Sequence, residues 1–340
     1  MRTYFHYFNV LFVLFSIIGS IIYGEKFLSF FLLLAVFQLS SGTIILLAKS
    51  YNLKSFKEIL IYWILVIIYF LVIINLIQNR TVKLIIIPML IASYHCYVTY
   101  KLLKKSFLTA EWNDLALINY EINPKILENY VPKGTELDLW NGKCYISLIG
   151  FMFENVKVLG FKIPFHVNFE EVNLRFYVKR YENGVWKRGV VFVKEIVPKH
   201  AISIVANTLY KEHYQTLKMR HSRTENDTSK TYQYDWKKDN KWNSITMKTN
   251  RNPIPIELNS EAEFITEHYF GYTKFNENKT IEYEVTHPRW EQLEVIDYKI
   301  DVDFENIYGK DFKFLQDLKP VSTYLALGSK ITIEGKKTIR

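Results

Sequence analysis

Near residue 105 the hydropathy of this chain changes character, and that break restricts its possible folds more than any other feature. Before it lie four apolar runs, Tyr4–Tyr23, Phe27–Ala48, Phe56–Gln78 and Val82–Leu103. Each comes near the roughly 20 residues that an α-helix needs to cross the hydrocarbon core of a bilayer. Charged residues sit at or beyond the ends of these runs. Backbone polar groups in lipid must be satisfied within their own segment, so the pattern predicts a four-helix transmembrane bundle over residues 1–105.

The charge distribution follows the same break. The formal net charge is +9, yet residues 1–105 hold ten of the 43 Lys and Arg and only two of the 34 Asp and Glu. The excess therefore punctuates apolar segments instead of forming a basic stripe on a polar domain, and nucleic-acid binding loses its support. Arg2, Lys49, Lys54, Lys57, Lys101, Lys104 and Lys105 fall on one side of the expected bundle, and Lys26, Arg80 and Lys83 on the other. By the positive-inside rule both termini and the domain after residue 105 face the cytoplasm, which predicts an integral protein of a bacterial inner membrane with the lipid bilayer as a partner. The first run is too long for the apolar core of a cleaved signal peptide. Among the polar exceptions, His6, Gln38, Ser40, Ser41, Asn75 and His95, only His95 lies well inside a span, which favours a packing and anchoring bundle over a transport path.

Residues 106–340 read differently. Short alternating segments broken by turn residues predict a mainly antiparallel β domain of α+β class. Its candidate strands include Asp114–Glu121, Gly142–Phe153, Val167–Arg180, Gly189–Val197, Ala262–Phe275 and Thr280–His287. Helical pieces are expected after the Asn123-Pro124 cap, over Ala201–Tyr210 and over Tyr308–Leu318. Ser222–Lys230 reads as a polar, mobile loop. So many strands with so few helices must close or stack to hide their edges, which predicts a barrel with flanking helices.

Within that domain Phe169–Val178 has two unlike faces. Side chains alternate along a strand, so Val172, Leu174, Phe176 and Val178 share an apolar face while Glu171, Asn173, Arg175 and Tyr177 share a polar one. The polar row is either a wet outer surface or the wall of a cavity in which Arg175 holds a carboxylate and Glu171 steadies the guanidinium. Lys194, on strict alternation, shares a face with Phe192 and Ile196, where burial could make it an amine nucleophile. His268 and His287 are candidate bases. No His-x-x-x-His or Cys-x-x-Cys spacing, phosphate loop or nucleophile elbow is present, so no metal and no cofactor is expected. Cys96 and Cys144 imply no disulfide framework.

The series Glu171-Val-Asn173-Leu-Arg175-Phe-Tyr177-Val178, Gly189-Val-Val-Phe192, Glu267-His268-Tyr269, His287-Pro288-Arg-Trp290 and Ala326-Leu-Gly328-Ser329 resembles the YqjF-like family of uncharacterised bacterial proteins over about residues 107–335. That family is similar in fold to acetoacetate decarboxylase, which implies a β-barrel around a central cavity. The decarboxylase forms a Schiff base through a Pro-Lys-Lys motif, and the nearest equivalent here, Glu212-His213-Tyr214, has neither the proline nor the lysine pair. Lys194, Tyr214 and His268 are therefore the candidate catalytic residues, and Glu171, Asn173, Arg175 and Tyr177 the candidate ligand-binding set. The combined expectation is a membrane-anchored barrel that binds a small organic anion. The alternatives are a sensor or interaction module coupled to the bundle, and a decarboxylase-like lyase acting on a keto acid.

Overall fold

Residues 2–23, 34–39, 53–69, 86–102 and 106–339 are described in the computed structural model, which divides into two units, Met1–Lys104 and Lys105–Arg340. The first unit contains helices α1 (Arg2–Tyr23), α2 (Leu53–Ile68) and α3 (Ile87–Leu102), with residues 34–39 also helical. Its interior is polar at one level. Asn9 Nδ2 lies 3.0 Å from His95 Nδ1 and 3.4 Å from Thr99 Oγ1, and Gln38 Nε2 donates to Asn9 Oδ1 at 3.0 Å. His95 is thus a hydrogen-bonded packing residue of this unit, tied to an Asn9 that the apolar first run concealed.

The expected membrane spans are not upheld. Among the described residues no helix is long and apolar enough to cross a membrane. α2 and α3 each comprise 16 described residues. α1 is longer at 22 residues but carries Arg2, His6 and Asn9 in its first half. Most of the run Phe27–Ala48, and parts of Phe56–Gln78 and Val82–Leu103, lie outside the described residues. The transmembrane bundle, the bilayer as partner and the cytoplasm-facing orientation all rested on four spanning helices, and none is found among the described residues.

The second unit is built from strands. Four long ones come first: β1 (Leu108–Ile122), β2 (Cys144–Val158), β3 (Phe169–Glu182) and β4 (Val185–Val197). Helix α4 (His200–Leu209) leads to short β5 (Tyr214–Thr216), then β6 (Lys218–Glu225), β7 (Lys230–Lys238) and β8 (Lys241–Thr249). Helix α5 (Glu261–Thr266) precedes β9 (Phe270–Asn276), β10 (Lys279–Thr286) and β11 (Val295–Asp301). Helix α6 (Phe304–Tyr308) and β12 (Ser322–Ile333) follow.

The order β12-β1-β2-β3-β4-β9-β10 closes on itself, because Val285 and Thr286 of β10 pair with Ile333 and Thr332 of β12. Neighbours in this ring run antiparallel except β4 and β9, which pair in parallel with Gly189 opposite Phe270. Closure removes the sheet edges that an open array of this size would expose. A second sheet, in the order β11-β8-β7-β6, covers part of the outer wall. At Gly150 of β2 a β-carbon would come within 2.9 Å of the Tyr234 ring of β7, so glycine there lets the two sheets approach. The outward row Val172, Leu174, Phe176 and Val178 packs in one apolar layer with Tyr232, Tyr234, Trp236 and Phe304, while Leu117, Tyr145, Ile149, Phe151, Tyr177 and Val190 belong to a separate core inside the barrel.

Three local expectations change. Of Ser222–Lys230, read as a loop, only residues 226–229 are one: residues 222–225 belong to β6, which pairs residue by residue with β7, and Lys230 opens β7. Ala262–Phe275 is not one strand: Ser260 caps α5 by accepting from Glu263 N at 3.1 Å, and the strand begins only at Phe270. The helix expected over Tyr308–Leu318 is split at Gly309, whose φ of +107° interrupts it. The Asn123 cap is present, its side chain accepting from Lys125 N at 3.0 Å.

Candidate functional site

Closure of the barrel turns the polar row of β3 inward. Glu171, Asn173 and Arg175 are 2%, 2% and 8% exposed, and all three line a small cavity of about 60 Å³ with Trp112, Glu195 and His268. A larger cavity of about 210 Å³ lies next to it, bounded by Phe107, Val156, Phe169, Ile202 and Tyr210. Phe153, Glu171, Tyr214, Tyr283 and Ile333 line both. The smaller space holds a cluster of polar groups among apolar walls, the larger is almost wholly apolar, and Glu171 with the two tyrosines stands between them.

The partners within this row differ from the expected ones. Glu171 Oε1 accepts from Asn173 Nδ2 at 3.0 Å and its Oε2 from the Tyr214 hydroxyl at 3.1 Å, so it does not clamp the guanidinium. Arg175 Nη2 donates to the Ile265 carbonyl at 3.2 Å, and its buried Nε has no acceptor. Tyr177 points inward too but lines neither cavity. Its hydroxyl lies 2.7 Å from Ser147 Oγ, which donates to Asn119 Oδ1 at 2.6 Å, and Asn119 reaches Ser322 at 3.0 Å. Tyr177 is therefore part of the barrel's internal bracing.

Lys194 lies on the other side of the wall. Leu174 pairs with Lys194 while Arg175 pairs with Phe192, leaving Val193 as an extra residue in β4. Such a bulge reverses the alternation beyond it. Phe192 faces in, whereas the Lys194 amine faces out and donates to the Ile307 carbonyl of α6. Burial, followed by the charge of Lys238, lowers its pKa, but no lysine lines either cavity. An amine nucleophile at Lys194 has lost its geometric basis.

The same bulge brings in a residue that strict alternation had sent outward. Glu195 is 2% exposed, lines the polar cavity and leaves Oε2 without a partner. Glu212, beyond the Lys211 turn, lines the apolar cavity; its Oε1 accepts from Thr273 Oγ1 at 2.6 Å and from the Tyr283 hydroxyl at 3.0 Å. Burial raises the pKa of all three glutamates, and their mutual repulsion adds to it at Glu195 and Glu212. Burial likewise pushes the Tyr214 hydroxyl well up, with Glu171 and Glu195 adding to the effect. The charged pair Lys194-Glu195 within an apolar strand was the available sign that one member had to turn inward.

His268 stands in the wall of the polar cavity with its ring 4.7 Å from that of Tyr177. Its Nε2 is 3.2 Å from Asp138 Oδ2, a carboxylate that also takes Arg188 Nε at 2.6 Å. Burial lowers its pKa to about 4 against the pull of Asp138, which keeps the imidazole neutral near neutral pH. Among the described residues no three His, Cys, Asp or Glu side chains converge as metal ligands.

A closed, mainly antiparallel barrel with a polar pocket inside it defines a class of small-molecule-sized sites, and comparison with known proteins assigns the family. The model of the family DUF2071, described as an uncharacterized conserved protein, matches residues 109–330. The chain belongs to this family. YqjF of Bacillus subtilis (strain 168), itself uncharacterized, is 28% identical over 184 residues, covering 53% of this chain and 72% of YqjF. Among solved structures, the enduracididine biosynthesis enzyme MppR complexed with pyruvate superimposes with a TM-score of 0.49 at 11% identity, covering 68% of this chain and 90% of MppR. Acetoacetate decarboxylase from Legionella pneumophila gives 0.47 at 13% identity, covering 68% of this chain and 87% of the decarboxylase.

Proposed function

We propose that the barrel binds a small organic anion, with its anionic group at Arg175 and its carbon skeleton in the adjoining apolar space. The observation that carries this reading is the guanidinium itself. Arg175 is 8% exposed and, among the described residues, has no ion-pair partner; it has one carbonyl, the Tyr177 ring 5.6 Å away and a bare Nε. Removing such a charge from water costs several kcal/mol unless a counter-charge offsets it. Glu171 on the same face feels the guanidinium's charge, but its two carboxylate oxygens are taken by Asn173 and Tyr214 and make no ion pair with it. A carboxylate or similar group entering the polar cavity would supply both the missing charge and the missing acceptor.

The test uses the full chain and a series of short aliphatic carboxylates, read by thermal stabilisation and calorimetry. A ligand that binds only the folded state at about 100 times its Kd adds about 2.7 kcal/mol of stability. Wild type should be stabilised in this way and Arg175→Met should not. Equal stabilisation of both proteins, or of neither, sinks the reading.

A further inference from the structure

Inside the polar cavity the unpartnered groups fall into two kinds. Arg175 Nε and Trp112 Nε1 are buried donors without acceptors; Asn173 Oδ1, Glu195 Oε2 and His268 Nδ1, whose Nε2 faces Asp138, are buried acceptors without donors. All five residues line the same cavity. Buried polar atoms in folded proteins are almost always paired, so a set of orphans around one void describes the groups its occupant must bring. A simple carboxylate has only acceptors. It would satisfy Arg175 and Trp112 and leave Asn173, Glu195 and His268 as they are.

We infer that the occupant also carries an amine, held by Glu195 and Asn173, so that the ligand is a zwitterion of α-amino-acid type with an apolar side chain. This rests on the reading of Arg175 above and extends it to the opposite end of the ligand head. Two features favour it over buried water. Water is donor and acceptor at once and can fill the orphan bonds, but it does not neutralise the guanidinium, and it offers no cation to which Glu195 could give up its proton. The neighbouring space, about 210 Å³ and walled by Phe153, Val156, Phe169, Ile202 and Tyr210, asks for an apolar group attached to that polar head.

Two matched sets of probes test this on the full chain by calorimetry: leucine, isocaproate and isopentylamine, and phenylalanine, hydrocinnamate and phenethylamine. In at least one set the amino acid should bind about tenfold or more tightly than its deamino counterpart, the size expected of a charge-assisted hydrogen bond. Glu195→Gln, which keeps the shape of the side chain, should cut that preference about tenfold. If the carboxylates bind as tightly as the amino acids, the amine site is refuted while the Arg175 reading stands. If no carboxylate and no amino acid binds, both are refuted. Preference that survives unchanged in Glu195→Gln also overturns the assignment.

Discussion

On the outer side of β3, Val172, Leu174, Phe176 and Val178 meet a second sheet in an apolar layer; on the inner side, Glu171, Asn173 and Arg175 face a void. Both sides are buried to a similar degree. They differ in what burial has left unfinished. The outer layer has orphan groups too, the hydroxyls of Tyr232 and Tyr308 and the indole of Trp236, but these are neutral and packed among apolar side chains. The inner orphans include a guanidinium and a carboxyl beside empty space. A single strand therefore divides a core made for stability from a site whose polar groups await a partner, and burial alone does not tell them apart.

The largest effect expected from this contrast is on the outer side. Trp236 is wholly buried, and Trp236→Ala should cost about 3–5 kcal/mol in urea unfolding. A loss below about 1 kcal/mol would mean that the layer between the sheets is not the stabilising one.

At the junction between the two cavities, Gly271 has no room for a side chain, because a β-carbon would run into the Tyr283 ring. Gly271→Ala should cost about 1–3 kcal/mol through overpacking and shift Tyr283 away from Glu212. Denaturation together with the binding assay would detect both, and an unchanged variant would show that the inner wall yields more readily than proposed.

Arg175→Met provides the sharpest comparison with Trp236→Ala. Replacing a buried, unpaired charge by an apolar group of similar length should leave stability within about 1 kcal/mol of wild type or raise it. Carboxylate-dependent stabilisation should vanish at the same time. If Arg175→Met instead unfolds the chain as readily as Trp236→Ala, the inner face is structural and the contrast fails.

The smallest effect expected is a pH dependence. Burial, then repulsion from Glu212 and Glu171, raises the pKa of Glu195, so the folded chain keeps a proton that the unfolded chain releases above about pH 4.3. The contribution of this group to stability is therefore greatest at low pH and declines as pH rises from there through the raised folded value. His268 acts in the opposite sense: its pKa, lowered to about 4, adds stability as pH rises toward about 6.5. His268 is present in both proteins, so comparing wild type with Glu195→Gln leaves the contribution of Glu195 together with its effect on Glu171 and Glu212. The melting-temperature lead of the variant should be smallest near about pH 4 and grow to about 2–4 °C at neutral pH. A lead that is flat across this range would indicate that Glu195 is ordinarily solvated.

Much of the architecture could be read from residue patterns. Alternation in Phe169–Val178 separated an apolar from a polar face, and the density of strands called for closure, which the pairing of β10 with β12 supplies. The Asn123 cap and the helix over Ala201–Tyr210 were visible because local hydrogen bonding and periodicity determine such elements. The long apolar runs before residue 105 misled: run length measures composition, whereas a span requires a helix both long and apolar enough, and none among the described residues is.

The site was only half legible. Glu171, Asn173 and Arg175 announced themselves by sharing one strand face, but whether that face looked inward depended on ring closure, a property of seven strands together. Lys194 and Glu195 exchanged sides because Val193 bulges out of register, and an extra residue in a strand leaves no mark on hydropathy. Glu171, Tyr214 and Tyr283 come from distant parts of the chain, so their meeting at the junction of the two cavities is a long-range result. Local sequence determined which side chains can share a face; the closed barrel decided which face became the interior, because direction relative to a cavity has meaning only after the chain has surrounded one.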